Sequence, residues 1–309
     1  MTALLLGALG LALSRFVPPA LARARWTSRE PRAAIVLWQA VTLASVLSAI
    51  GVVLAAPEEY VRARGAGPLG AEWILLGALA VAGFIVARLL AALVAVTGGS
   101  RRRRARHRML VDLLDRAEQH GDVEGHLPAG SLRVLDGEVP FAYCLPGRSP
   151  RVVVSGGALR ALTREELAAV LDHEHAHLRA RHDLVLEAFA AVHRAVPRPL
   201  RSRTALDAVH LLLEMAADDA ARRHHGDQPL RGALATMGGA VAAPPEAAGT
   251  GRDAERERLR RLDRLSPGAP RPSRAAGAAM CALAAAVLLL PTVALVLPWL
   301  LQARAGWPL

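Results

Sequence analysis

The chain has 309 residues, 53% of them hydrophobic and 4% aromatic, with 38 basic against 27 acidic side chains and a formal net charge of +11. That length has room for two domains, and so much apolar content argues against a purely water-soluble enzyme. Every basic residue apart from histidine is an arginine. The densest block, Arg101 to Arg104, abuts an apolar run, so the positive charge reads as a juxtamembrane anchor and direct nucleic-acid binding is not expected. Cys144 and Cys281 are too few and too scattered for a disulfide framework or a thiolate metal cluster.

Taken in chain order, the first apolar run covers residues 2–22, interrupted by Arg15, Pro18 and Pro19. It reads as a membrane span in preference to a signal peptide, because no positive charge precedes it and Arg15 can snorkel to the interface. Uncharged residues 33–56 predict a second span, and residues 73–97, broken only by Arg88, a third. Arg88 lies in the half of its span nearest the basic block and reads as a snorkelling side chain. A fourth span follows from about residue 274, with Pro291 and Pro298 tolerated where neighbouring helices re-satisfy the backbone.

Basic residues decide the orientation. Arg23, Arg25, Arg29 and Arg32 follow the first span, only Arg62 and Arg64 the second, and the arginine cluster the third. The first and third connections are therefore expected in the cytoplasm, with both termini outside. This gives an N-terminal membrane domain over 1–99, a cytoplasmic domain over 100–273, and a fourth span with a short tail over 274–309.

Within the cytoplasmic region a helix is predicted over Met109 to Gln119, and short strands over Leu132 to Leu135, Phe141 to Leu145 and Arg151 to Ser155. Gly147 and Pro150 suggest a hairpin-like link between the last two strands. Thr163 followed by Glu166 is a capping-box signature that opens a helix running into a histidine cluster. A second apolar helix is expected from about Thr204 to Arg222. A proline- and glycine-rich closing stretch is expected to hold one short charged helix over 254–265.

His173 to His177 reads HEHAH, an instance of HExxH, which on a helix turns two imidazoles four residues apart toward one ion. Glu174 stands beside that ion as general base for a water molecule the metal acidifies. One more protein ligand is needed if a position is to stay open. Glu214, at the head of Glu214-Met215-Ala216-Ala217-Asp218-Asp219, is the best candidate, and Asp218 one turn later can orient a ligand imidazole. His210 and Asp219 compete for these roles. His175 and His182 read as surface or substrate-side residues, His224 and His225 as favourable charges at a helix end, and Asp183 as a helix anchor paired with a nearby arginine. One Zn2+ per chain is expected; a two-histidine, one-carboxylate set also suits iron, but the base on the same helix favours zinc.

With these residues the chain resembles the membrane-embedded zinc metallopeptidases of the BlaR/MecR antirepressor type, and more distantly the HtpX and CAAX-prenyl protease group. The resemblance rests on VVVSGGALRALTREELAAVLDHEHAHLRARHDL from Val152 to Leu184, on EMAADDAA from Glu214, and on three spans, a protease region and a fourth span. It implies a gluzincin endopeptidase with a zincin-like α+β domain acting on a transcriptional repressor or membrane protein, with a separate sensor or repressor protein as partner. The related group has an Asn-Ala-Phe-like strand along its cleft, where this chain reads Phe141-Ala142-Tyr143. The expected fold is a mostly α membrane protein, four transmembrane helices with the cytoplasmic metalloprotease domain between the third and fourth. The rival reading is a non-catalytic zinc-binding signalling scaffold, against which the intact Glu174 argues.

Overall fold

A computed structural model describes residues 2–64, 68–115, 131–198, 201–238, 251–269 and 272–305. These form two compact units, one comprising Met1–Val94, Ala191–Val209 and Pro272–Leu309, the other Ala95–Ala190 and His210–Arg271.

The first unit is built from long apolar helices. Residues 2–23 are helical in three pieces: α1 (Thr2–Leu11), a π-helical turn Ala12–Phe16 that contains Arg15, and α2 (Val17–Arg23). The prolines do not break the run because they occupy the first turn of α2, where a missing N–H costs nothing. Helix α3 (Pro31–Arg64) packs against both α1 and α11 (Arg274–Ala305). Its contact faces carry small residues, among them Ala34 and Ala44, around the buried ring of Trp38. Leu6 and Ala3 of α1 meet Val52 and Ala55, with Ala294 of α11 against the same cluster. Leu6 also crowds Gly51 closely enough that any side chain there would displace it. Four helical stretches, Thr2–Arg23, Pro31–Pro57, Glu72–Leu114 and Arg274–Ala294, are long and apolar enough to cross a membrane.

The third of these belongs to α4 (Pro68–Leu114), which corrects one expectation. The segment after the arginine block is no separate helix; α4 runs unbroken through Gly98 and Gly99 to Leu114, since neither glycine is followed by a residue that stops a helix. Residues 116–119 of the expected helix lie outside the described residues. Arg88 makes a contact that the sequence did not indicate. Its Nε donates to the Ala195 carbonyl at 2.5 Å, so the charge caps the end of α7 (His182–Ala195).

The second unit holds a three-stranded sheet, β1 (Leu132–Leu135), β2 (Ala142–Leu145) and β3 (Arg151–Ser155), in the order β1-β3-β2. β3 runs antiparallel to β2, as their short connection requires, and parallel to β1. Helix α5 (Gly156–Ala161) leaves β3 directly, with Ser155 accepting the Ala158 N–H as its N-cap. The turn is tight at Gly157: its N–H donates to the Gly137 carbonyl at 2.7 Å, and a Cβ there would collide with the Glu138 backbone. Helix α6 (Arg164–Ala180) opens with the expected capping box, Thr163 N–H to Glu166 Oε2 at 2.9 Å and Glu166 N–H to Thr163 Oγ1 at 3.3 Å. It ends where Arg181 turns left-handed at φ 51°.

Behind the sheet, Leu132, Val134, Val152 and Val154 pack on Ala169, Val170 and Leu171 of α6, with Leu230 and Leu234 of α9 (Asp227–Thr236) and Leu265 completing the core. Helices α8 (Thr204–His225) and α10 (Gly251–Arg264) complete the set. The closing stretch, residues 242–273, thus holds a charged helix that starts three residues earlier than expected; its residues 242–250 and 270–271 lie outside the described residues.

Candidate metal centre

Helix α6 buries its apolar side against the sheet, which fixes its rotation and carries His173 and Glu174 inward; they are 0% and 1% exposed. Four residues along a helix is about one turn, so His177 stands over His173 on the same face. Their Nε2 atoms lie 3.2 Å apart. From α8, Glu214 reaches the same point, with Oε1 3.3 Å from His177 Nε2 and Oε2 3.4 Å from His173 Nε2. Donor atoms of all three residues lie within 4.8 Å of one another, and among the described residues this is the group that can hold a metal ion.

The donors fit a divalent ion. Two imidazole nitrogens turned toward each other and a carboxylate with one oxygen beside each make a donor set of the kind zinc takes, and one carboxylate offsets half the charge of the ion. Glu174 Oε1 is buried and has no hydrogen-bond partner among the described residues, leaving one carboxylate oxygen free beside the donor cluster.

Each imidazole has a second contact on its far side. Asp218 Oδ1 lies 3.0 Å from His173 Nδ1, somewhat off the line of the ring N–H. His182 Nδ1 lies 2.8 Å from His177 Nδ1. His182 is 7% exposed, which corrects its reading as a surface residue: the left-handed turn at Arg181 brings the start of α7 back toward α6. One residue was not marked by the sequence at all. Arg261 of α10, 3% exposed, donates from Nη1 to Glu214 Oε2 at 3.0 Å and from Nε and Nη2 to the two Asp218 oxygens at 2.8 and 2.7 Å. Nothing in a run of arginines marks one of them as buried.

The electrostatics follow from these contacts. Burial pushes the Glu174 carboxyl up to about 7, with Glu214 adding to it and His173 opposing. Burial alone would lower His173, but Asp218 and Glu214 hold it up at about 9. Burial pushes His177 down to about 3, leaving its lone pair free at neutral pH. Although burial disfavours a charged Glu214, its coupling to His177, the Arg261 guanidinium and the His173 hydrogen bond hold it well below the usual carboxylate range. Against the same burial penalty, Arg261 and His173 bring Asp218 to about 2.

The remaining candidates separate from this cluster. His210 faces Glu257 of α10, 3.5 Å from Nδ1 to Oε2, and Asp219 pairs with Arg264 at 2.6 Å and Arg222 at 3.3 Å. His224 and His225 both meet Asp172 Oδ2, at 2.8 and 3.0 Å, so a specific carboxylate holds them where only a helix-end effect was expected. Asp183 pairs with Arg104 of α4 at 2.7 Å; the same guanidinium also binds Glu187.

The sequence profile of peptidase family M48 matches residues 100–197, the stretch that contains His173, Glu174 and His177. Over this segment the chain is similar to peptidase family M48. M48 peptidases are metal-dependent, usually with zinc. The chain is also 39% identical over 71 residues to a protease HtpX homolog from Thermodesulfovibrio yellowstonii, covering 22% of this chain and 24% of that protein. The chain thus spans about a quarter of the length of that curated relative. No solved structure gives a significant match. With its four apolar helices, the chain is a membrane protein with a segment similar to peptidase family M48. Glu214, Asp218 and Arg261 lie beyond that segment.

Proposed function

We propose that the chain is a zinc endopeptidase of the membrane, with His173, His177 and Glu214 as metal ligands and Glu174 as general base. The observation that carries this reading is the convergence of three donor side chains from two helices on one buried point, with a free carboxylate oxygen on the residue next to the first ligand. When bound there, zinc supplies Lewis acidity, which polarises a peptide carbonyl and makes water a stronger nucleophile at neutral pH. Glu174 takes the proton of the attacking water and delivers it to the departing amine. Asp218 and His182 hold the two imidazoles in place from behind.

The substrate is a protein, either a membrane protein or a transcriptional repressor as the BlaR/MecR likeness suggests, with a separate sensor or repressor protein as partner. The metal-binding region lies on the cytoplasmic side, following the arginine distribution around the spans.

The test compares detergent-purified wild type with Glu174→Ala and His177→Ala, measuring bound zinc and cleavage of an unfolded membrane-protein substrate. Wild type is expected to bind zinc and cut, Glu174→Ala to bind zinc without cutting, and His177→Ala to do neither. Equal zinc in all three would remove the ligand assignment, and zinc binding without cleavage in any condition would leave a scaffold.

A further inference from the structure

Glu214 and Asp218 sit one turn apart on α8, 3% and 1% exposed. Two buried carboxylates so close repel each other unless a cation stands between them. Arg261 is that cation. Its Nε and Nη2 grip both oxygens of Asp218 in a two-pronged contact, while Nη1 reaches Glu214 Oε2. A planar guanidinium can make these three bonds in one plane, which an ammonium group cannot.

The grip has a geometric effect. Each carboxylate retains freedom about its own side-chain torsions, and Arg261 removes it for both at once. Glu214 is left with its oxygens 3.3 Å from His177 Nε2 and 3.4 Å from His173 Nε2, and Asp218 with Oδ1 3.0 Å from His173 Nδ1. Helix α10 presents Arg261 in this position because it is fastened to α8 along a row of pairs. Glu257 meets His210, Arg261 meets Glu214 and Asp218, and Arg264 meets Asp219 and donates to the Met215 carbonyl. These α10 positions, four and then three residues apart, share one helical face.

We propose that Arg261 is a positioning residue of the metal centre, which pre-orients Glu214 as a ligand and Asp218 as the partner of His173, so that α10 is a working part of the site. This rests on the metallopeptidase reading above. The competing effect is repulsion between the guanidinium and a divalent ion, and its sign is opposite: if repulsion dominated, removing Arg261 would tighten metal binding. The two-pronged hold on Asp218 decides in favour of orientation, because it keeps the guanidinium engaged by a carboxylate outside the donor set.

The experiment uses the full chain in detergent, freed of metal and titrated with zinc against a chelating dye, with helical content followed alongside. Arg261→Met is expected to weaken zinc binding by about 10–100-fold, the usual cost of losing an outer partner of a metal ligand. Arg261→Lys, which keeps the charge but loses the fork, should recover part of that loss. Arg258→Met, on the same helix and paired with Glu255, should bind as wild type does. Wild-type or tighter affinity in a folded Arg261→Met protein overturns the proposal. If that variant does not fold, Arg261→Lys decides alone: reduced affinity at unchanged helical content supports the proposal, and wild-type affinity overturns it. Glu214→Ala separates the two levels. If it binds zinc as wild type does, the ligand set itself is wrong; if it loses zinc while the Arg261 variants keep it, only the role of Arg261 fails.

Discussion

His182 Nδ1 lies 2.8 Å from His177 Nδ1, with the two rings edge to face. One imidazole therefore braces another, where a carboxylate or carbonyl is the more usual partner of a metal-binding histidine. His182→Ala should leave the fold intact and reduce zinc affinity about 10-fold or more by freeing the His177 ring. Zinc titration of the purified variant checks this, and unchanged affinity would show that the ring contact has no part in metal binding.

Removing the metal should cost stability. A ligand that binds the folded state alone adds about 2.7 kcal/mol at a hundredfold its dissociation constant. The thermal midpoint is thus expected to fall when a chelator is added and to recover with zinc, whereas His173→Ala should show one midpoint in both conditions.

The pair His210 and Glu257 joins α8 to α10 and carries a pH dependence of known sign. Glu257, aided by Glu214 and opposed by burial and Arg261, holds His210 up at about 9 from a reference value of 6.5. A raised value means that the folded state binds the proton more tightly. The contribution is therefore complete below pH 6.5 and is lost as the pH rises through about 9. Glu257→Gln should be less stable than wild type at pH 6, with the difference closing by pH 10. A gap in thermal midpoint that stayed constant over that range would show that the His210 charge is not involved.

Gly157 sits where β3 passes into α5, and a methyl group there would meet the Glu138 carbonyl oxygen, a backbone atom that cannot swing away. Gly157→Ala should destabilise the protein by about 1–3 kcal/mol through overpacking. Denaturant unfolding would read this directly, and a change below about 0.5 kcal/mol, typical of an unremarkable surface site, would mean that the turn relaxes freely.

Most of the secondary structure can be read from the sequence by itself. Long uncharged runs have no other way to satisfy their backbone than helices, Thr163 and Glu166 announce the start of α6, and alternating apolar residues mark the strands. His173, Glu174 and His177 were equally visible, because their relationship is local: a helix fixes where residues i and i+4 point. The single unbroken α4 was not foreseen, since Gly98, Gly99 and the arginine block resemble a boundary in composition while costing a continuous helix little.

What only the tertiary structure decided are relationships between elements far apart in the chain. Arg261 acts on Glu214 across 47 residues, and Asp172 receives His224 and His225 across 52 and 53. His182 turns inward because Arg181 adopts a left-handed conformation between two helices. Periodicity reports which face of a helix is apolar, but among 38 arginines it cannot say which one is buried, because a guanidinium enters a core only where carboxylates already wait for it. The position of α10 over α8 supplies that condition, and it is set by packing that no local pattern records.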